Sequence, residues 1–166
     1  MTPDTPIKPS VEGLPDTLPM RWFADLAIRV DLPQEVGLSI HGRRRLIPIL
    51  GGEANGRDWQ AKVLPGGADF QLLVSETLAE LDARYTLETT QGELVYVHNL
   101  AIRSASADVM ARLARGEAVD PSTVYFRCTP RFETASSRLA WITQKLFVGT
   151  GVRRPDSVHI RLFELS

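Results

Sequence analysis

Ala79-Glu80-Leu81-Asp82-Ala83-Arg84-Tyr85-Thr86-Leu87-Glu88-Thr89 alternates apolar and polar side chains over its whole length, with Leu81, Ala83, Tyr85 and Leu87 on one parity and Asp82, Arg84, Thr86 and Glu88 on the other. A period of two puts successive side chains on opposite faces of an extended chain, so the segment reads as a half-buried β-strand. Gln91-Gly92 supplies a turn, and Glu93–Arg103, carrying Val95, Tyr96, Val97 and His98, reads as the returning strand of a hairpin.

The same rhythm continues on both sides. Trp22–Leu32, Val36–Gly42, Leu46–Leu50, Trp59–Leu64, Asp69–Val74, Thr123–Phe132, Lys145–Val152 and Ser157–Leu165 are further strand candidates, about ten in all. Two short helical pieces interrupt them. Ser106 caps the first, in which Val109, Met110 and Leu113 share a face before Gly116 ends it; Ser136 or Ser137 starts a single turn that delivers Trp141. No repeat and no βαβ alternation is present, so a parallel sheet is not expected. The expected fold is all-β, and antiparallel strands in this number either stack as a sandwich or close as a barrel.

The first 20 residues hold five of the eleven prolines, Pro3, Pro6, Pro9, Pro15 and Pro19, and are expected to form an irregular arm, with residues 21–166 a single domain. Nineteen basic against 20 acidic residues give no positive field for nucleic acid. One cysteine, Cys128, excludes an intramolecular disulfide. Neither a secretory signal nor a run of apolar residues long enough for a membrane helix is present, and a cytoplasmic location is expected.

Five segments together carry a resemblance. They are Gly51-Gly52 with Gly56 ahead of Trp59; Val63-Leu64-Pro65-Gly66-Gly67-Ala68-Asp69-Phe70-Gln71; Leu81 to Thr89; Tyr125-Phe126-Arg127-Cys128-Thr129-Pro130-Arg131-Phe132-Glu133-Thr134; and Trp141 followed by Phe147-Val148-Gly149-Thr150-Gly151. In this order, over about residues 22 to 165, the chain resembles domain-of-unknown-function family 3237, also called uncharacterised protein family 0311. Phe70 stands where the family often has tryptophan, and Ile142-Thr143 replaces a usual Leu-Asn. The resemblance implies a closed antiparallel β-barrel of about eight to ten strands. For function it implies a small-molecule-handling protein, with some relatives linked to secondary metabolism, where a barrel folds an activated aromatic or polyketide-like substrate for cyclisation.

Candidate chemistry follows from residue types. Asp69, after the small-residue turn Gly66-Gly67-Ala68, is either a general base or a turn-stabilising carboxylate. Arg84 shares a face with Asp82, Thr86 and Glu88, and Arg127 with Tyr125 and Thr129; these sets are either solvated outer faces or the lining of a wet lumen. In the second case Asp69, Arg84 and Arg127 converge near Trp59 or Trp141. An arginine beside Asp69 would then keep it ionised and weakly basic, and the guanidinium groups would hold a carboxylate, enolate or phenolate. Trp59, Tyr96 and Trp141 are either core or the walls of a flat-ligand site, while Tyr125 and Glu133 are either solvated or a proton donor and acceptor pair.

His41, His98 and His159 lack paired ligand spacing, and neither a metal nor a cofactor is expected. Gly149-Thr150-Gly151 and Gly51 to Gly56 read as turns or barrel bends, and Arg43-Arg44-Arg45 as a solvated turn. Three functions follow: a cofactor-independent lyase or isomerase-like cyclase, a lipocalin-like carrier with the same cavity and no proton chemistry, and a structural subunit. The surplus of apolar strand faces adds the expectation of a homodimer.

Overall fold

The computed structural model describes residues 12–166. Residues 12–19 form neither helix nor strand; the remainder of the expected arm lies outside the described residues. Ten strands follow: β1 Met20–Val30, β2 Gln34–Ser39, β3 Gly42–Gly56, β4 Gln60–Val63, β5 Ala68–Leu73, β6 Leu78–Thr89, β7 Leu94–Ser104, β8 Tyr125–Thr134, β9 Phe147–Arg153 and β10 Ser157–Leu165. One helix, α1, spans Ala107–Ala114, and a 3₁₀ turn, Ala140–Gln144, carries Trp141.

All pairings are antiparallel, and they close. Around the barrel run β1, β10, β9, β8, β7 and β6, then β4 and β5 sharing one position between β6 and β3, and β3 returns to β1 through Ala24↔Gly56 to Val30↔Ile49. This is a closed eight-position barrel. β2 is extra: it pairs only with Gly42 to Leu46 of β3 and projects from the wall.

β3 departs from the expected reading. Gly51-Gly52 does not end a strand; the chain runs on through it to Gly56. A Cβ at Gly52, where φ is +147°, would stand 2.1 Å from the Ala27 carbonyl oxygen, so the glycine lets β3 bend against β1 without a clash. Gly149 and Gly151 likewise sit inside β9, leaving room for the Cys128 sulfur and the Phe126 ring. Arg43-Arg44-Arg45 is in β3 rather than in a turn, and Arg45 is buried.

The ends of the barrel are stopped differently. At one end a bulge between Trp22 and Ala24 turns Phe23 inward, where its ring meets those of Phe147 at 4.5 Å, Trp59 at 5.6 Å, Phe132 at 5.6 Å and Trp141 at 5.8 Å. Phe23 is fully buried, and a buried ring of this kind contributes roughly 1.5–3 kcal/mol by transfer alone. At the other end α1 packs Met110 and Leu113 against Ala79, Leu81 and Phe126, with Ser106 capping it by accepting from the Val109 amide. Arg45, Gln71, Asn99 and Arg103 are buried polar side chains of the barrel wall, as are Thr89 and Glu164, the latter bonded to Arg57 beside the aromatic plug.

Candidate functional site in the barrel interior

Register decides which candidates look inward. Residues directly opposite each other in an antiparallel pair point to the same face. Asp69 faces Ala83, whose neighbours on the inner parity, Leu81 and Tyr85, are buried in the core; Arg84 is therefore turned outward. Arg127 faces Ile102, and because the next residue, Arg103, points in, both Ile102 and Arg127 point out. Asp69, Arg84 and Arg127 thus share no cavity, contrary to the arrangement anticipated for a polar lumen.

The outer residues have partners of their own. Arg84 donates from Nε and Nη2 to the two Asp82 oxygens at 3.0 and 3.1 Å, and Asp82 Oδ1 also lies 2.9 Å from His98 Nε2. Tyr96, on the outer parity of β7, neighbours Arg84. Arg127 Nη1 donates to Thr150 Oγ1 and to the Phe126 carbonyl, each at 3.0 Å, and its guanidinium stands over the Tyr125 ring at 5.0 Å. Both line an outer groove of about 820 Å³ with Leu100, Ile102, Val148 and Phe163. No buried polar group converges in that groove. Glu133 is exposed, and Trp59 and Trp141 belong to the aromatic plug, where Arg57 lies 5.9 Å over Trp141. Both tryptophans are partly buried and pack against the core cluster.

Asp69 does point inward, into different company. Arg45, opposite Gln71 on β3, donates from Nε to Gln71 Oε1 at 2.8 Å, and Gln71 Nε2 donates to Asp69 Oδ2 at 2.6 Å. The chain Arg45, Gln71, Asp69 fixes one carboxylate oxygen. The other, Oδ1, is buried with no hydrogen-bond partner among the described residues, as are Asn99 Oδ1 and Arg103 Nε. Asp69, Gln71, Asn99 and Arg103 line one enclosed cavity of about 40 Å³ whose remaining walls include Ile28, Ile47, Ile49, Phe126 and Ile160.

Burial governs the electrostatics of this site. Desolvation lifts the Asp69 carboxyl above the usual carboxylate range, although the Gln71 amide, the backbone at Asp82 and the charges of Arg103 and Arg45 pull the other way. The arginine neighbours are present, yet they do not make Asp69 the weak base that an exposed pair would give. Burial, with the charges of Arg45 and Arg153 adding to it, pushes Arg103 down to about 10, so it stays protonated at neutral pH. Tyr85 is pushed up by burial alone in the main, and Cys128 is pushed up to about 11 for the same reason.

Among the described residues no three His, Cys, Asp or Glu side chains gather as a metal-binding group. No described helix is long and apolar enough to cross a membrane.

The model of the family described as "Protein of unknown function (DUF3237)" matches residues 19–165. The chain belongs to that family. A relative from Rhodopseudomonas palustris, carried under the name uncharacterised protein family 0311, is 42% identical over 149 residues, covering 90% of this chain and 97% of the relative. The crystal structure of a protein from the same organism superposes with a TM-score of 0.86 at 40% identity, covering 92% of this chain and all of the other. A β-barrel-like protein from Acinetobacter baumannii superposes at 0.81 with 34% identity, over 93% of this chain and all of the other. A chain described as an enzyme from Penicillium herquei matches at 0.69 with 14% identity over 94% of this chain and all of its own length, which shows a shared fold.

Proposed function

We propose that this family member binds a small organic molecule at the polar end of its barrel and moves a proton on it without a cofactor, as a lyase or isomerase-like cyclase does. The observation that carries this reading is Asp69: it lines the cavity, one oxygen is clamped by Gln71, the other is buried without a hydrogen-bond partner among the described residues, and its affinity for a proton is raised. Such a carboxylate is a better base than a solvated one and is held ready for an acidic O–H.

In the proposed step the substrate hydroxyl gives its proton to Asp69 Oδ1 and keeps the electron pair as a phenolate or enolate oxygen. That oxygen adds to an activated alkene carbon of the same molecule, and Asp69 returns the proton to the adjacent carbon. The space of about 40 Å³ accommodates a head group only, and a ring system would need the apolar walls, among them Ile28, Ile49 and Ile160, to give way. The carrier reading uses the same cavity and is favoured by its apolar walls, Ile28, Ile47, Ile49 and Ile160.

Cyclisation of 2′-hydroxychalcone to flavanone separates the two. Catalysis requires acceleration over buffer that falls by about 100-fold or more in Asp69→Asn; binding without acceleration supports the carrier. A variant as fast as the wild type removes Asp69 from the chemistry. A cytoplasmic location is proposed with this reading, supported by the single, unpaired Cys128, and so is a homodimer.

A further inference from the structure

We infer that the interior cavity holds an anion site, in which Arg103, with the charges of Arg45 and Arg153 near it, takes the carboxylate, enolate or phenolate head group of the ligand. The inference deepens the reading above and rests on it for where the ligand sits, but it concerns a different residue and a different property.

Three guanidinium groups feel the Asp69 carboxylate here; Glu35 also acts on Arg45 and Asp156 on Arg153, whereas Asp69 is the carboxylate that acts on Arg103. Arg45 is 6% exposed and Arg103 2% exposed. Arg153 is half-buried on the inward parity of β9, and the charges of Arg45, Asp69, Arg103 and Arg153 are felt among one another. Two of the three are satisfied by protein atoms: Arg45 by Gln71, and Arg153 by the carbonyls of Ser157 and Pro155 at 3.0 and 3.3 Å. Arg103 is different. Its Nε is fully buried and has no acceptor among the described residues, although Asp69 Oδ1, an acceptor without a donor, belongs to the same cavity.

A buried guanidinium N–H left without an acceptor is costly, and a methionine or leucine in its place would avoid that cost. An unpaired, positively charged donor lining a cavity is what an anionic head group completes. Arginine suits the task because its planar fork donates two parallel hydrogen bonds to a carboxylate or an enolate oxygen. The charge of Arg103 favours an anion over a neutral isostere, and the apolar walls of the same cavity, Ile28, Ile47, Ile49 and Ile160, accept the rest of the ligand.

Acetate and acetamide, nearly equal in size and shape and small enough for a cavity of this order, provide the test. The wild-type protein is titrated with each at the same ionic strength, and the unfolding temperature is recorded. Acetate is expected to raise it with the logarithm of its concentration above Kd, by about 3–6 °C at a tenfold excess, and acetamide to leave it nearly unchanged. Arg103→Met is expected to lose the acetate response while unfolding at the same or a higher temperature without ligand; a residue kept for structure would instead leave a weaker fold.

Equal responses to acetate and acetamide, or no response to either, overturn the inference from the wild type alone and assign the unpaired donor to water. An acetate response retained in Arg103→Met overturns it as well. Asp69→Asn keeps the two proposals apart: it abolishes proton transfer under the reading above and leaves the acetate response in place under this one.

Discussion

Gln71 Nε2 donates to Asp69 Oδ2 at 2.6 Å, and the two residues are neighbours on the inward parity of β5, so the carboxylate is clamped by its own strand. The same amide group accepts from Arg45 on β3. A positive charge is thus relayed to Asp69 through a neutral side chain rather than paired with it directly, which leaves burial the stronger influence on the carboxyl.

That balance has a sign in stability. The folded state holds the Asp69 proton at pH values where the unfolded chain has lost it, so ionised Asp69 costs stability above its raised folded pKa, and the cost disappears as pH falls below the ordinary carboxylate value of about 3.9. Asp69→Asn is free of that cost at every pH. The variant is expected to unfold at a higher temperature than the wild type at pH 8, with the gap closing toward pH 4. A wild type that is the more stable at pH 8 would show that the arginines, not burial, dominate.

Glu93 is tuned the opposite way. It accepts from Arg138, from Ser136 Oγ at 2.5 Å and from Thr89 Oγ1 at 2.9 Å, joining the β6–β7 turn to the segment after β8, and these hydrogen bonds hold its carboxyl down to about 2. A depressed folded pKa stabilises fully above the unfolded value of about 4.3 and loses its effect as pH falls toward 2. Glu93→Gln is expected to unfold at a lower temperature than the wild type at pH 6 and to match it near pH 2. Raising the salt concentration should narrow the gap at pH 6, since Arg138 is partly solvated. A gap independent of pH would assign the effect to packing.

The barrel was legible because its polarity alternates where it matters. β6 carries a polar side chain on every outer position from Glu80 to Glu88, so its inner face is unambiguous, and the hairpin with β7 follows from Gln91-Gly92. The site was less legible because β3 and β7 are apolar on both faces. Leu46 and Leu50 alternate with Ile47 and Ile49, and Leu100 and Ile102 flank Ala101, so no local pattern says that Arg45, Asn99 and Arg103 are the inward residues. Only the ladder does, by setting Asp69 across from Ala83 and Arg103 across from Ala79. Arg84 and Arg127 drew attention because they lie in the segments that carry the family likeness, and both prove to be surface arginines with partners.

The apolar surface that the barrel leaves uncovered is concentrated on β2 and its flanks. Leu32 is 81% exposed, Val36 75%, Leu38 82% and Ile40 95%, and β2 pairs with β3 along one edge only. An unpaired edge carrying bare apolar side chains templates pairing with another strand. The same strand of a second copy would match it: two β2 edges paired antiparallel about a two-fold axis would each cover the other's Val36 and Leu38, and such a contact would close after two chains. Sedimentation velocity at micromolar concentration is therefore expected to show a dimer for the wild type and a monomer for the double variant Leu38→Glu, Ile40→Glu, with the folded far-ultraviolet spectrum retained because neither residue is in the core. A wild type that sediments only as a monomer refutes self-association, and a dimer that survives both substitutions moves the interface away from β2, toward the outer groove at Leu100, Ile102 and Tyr125.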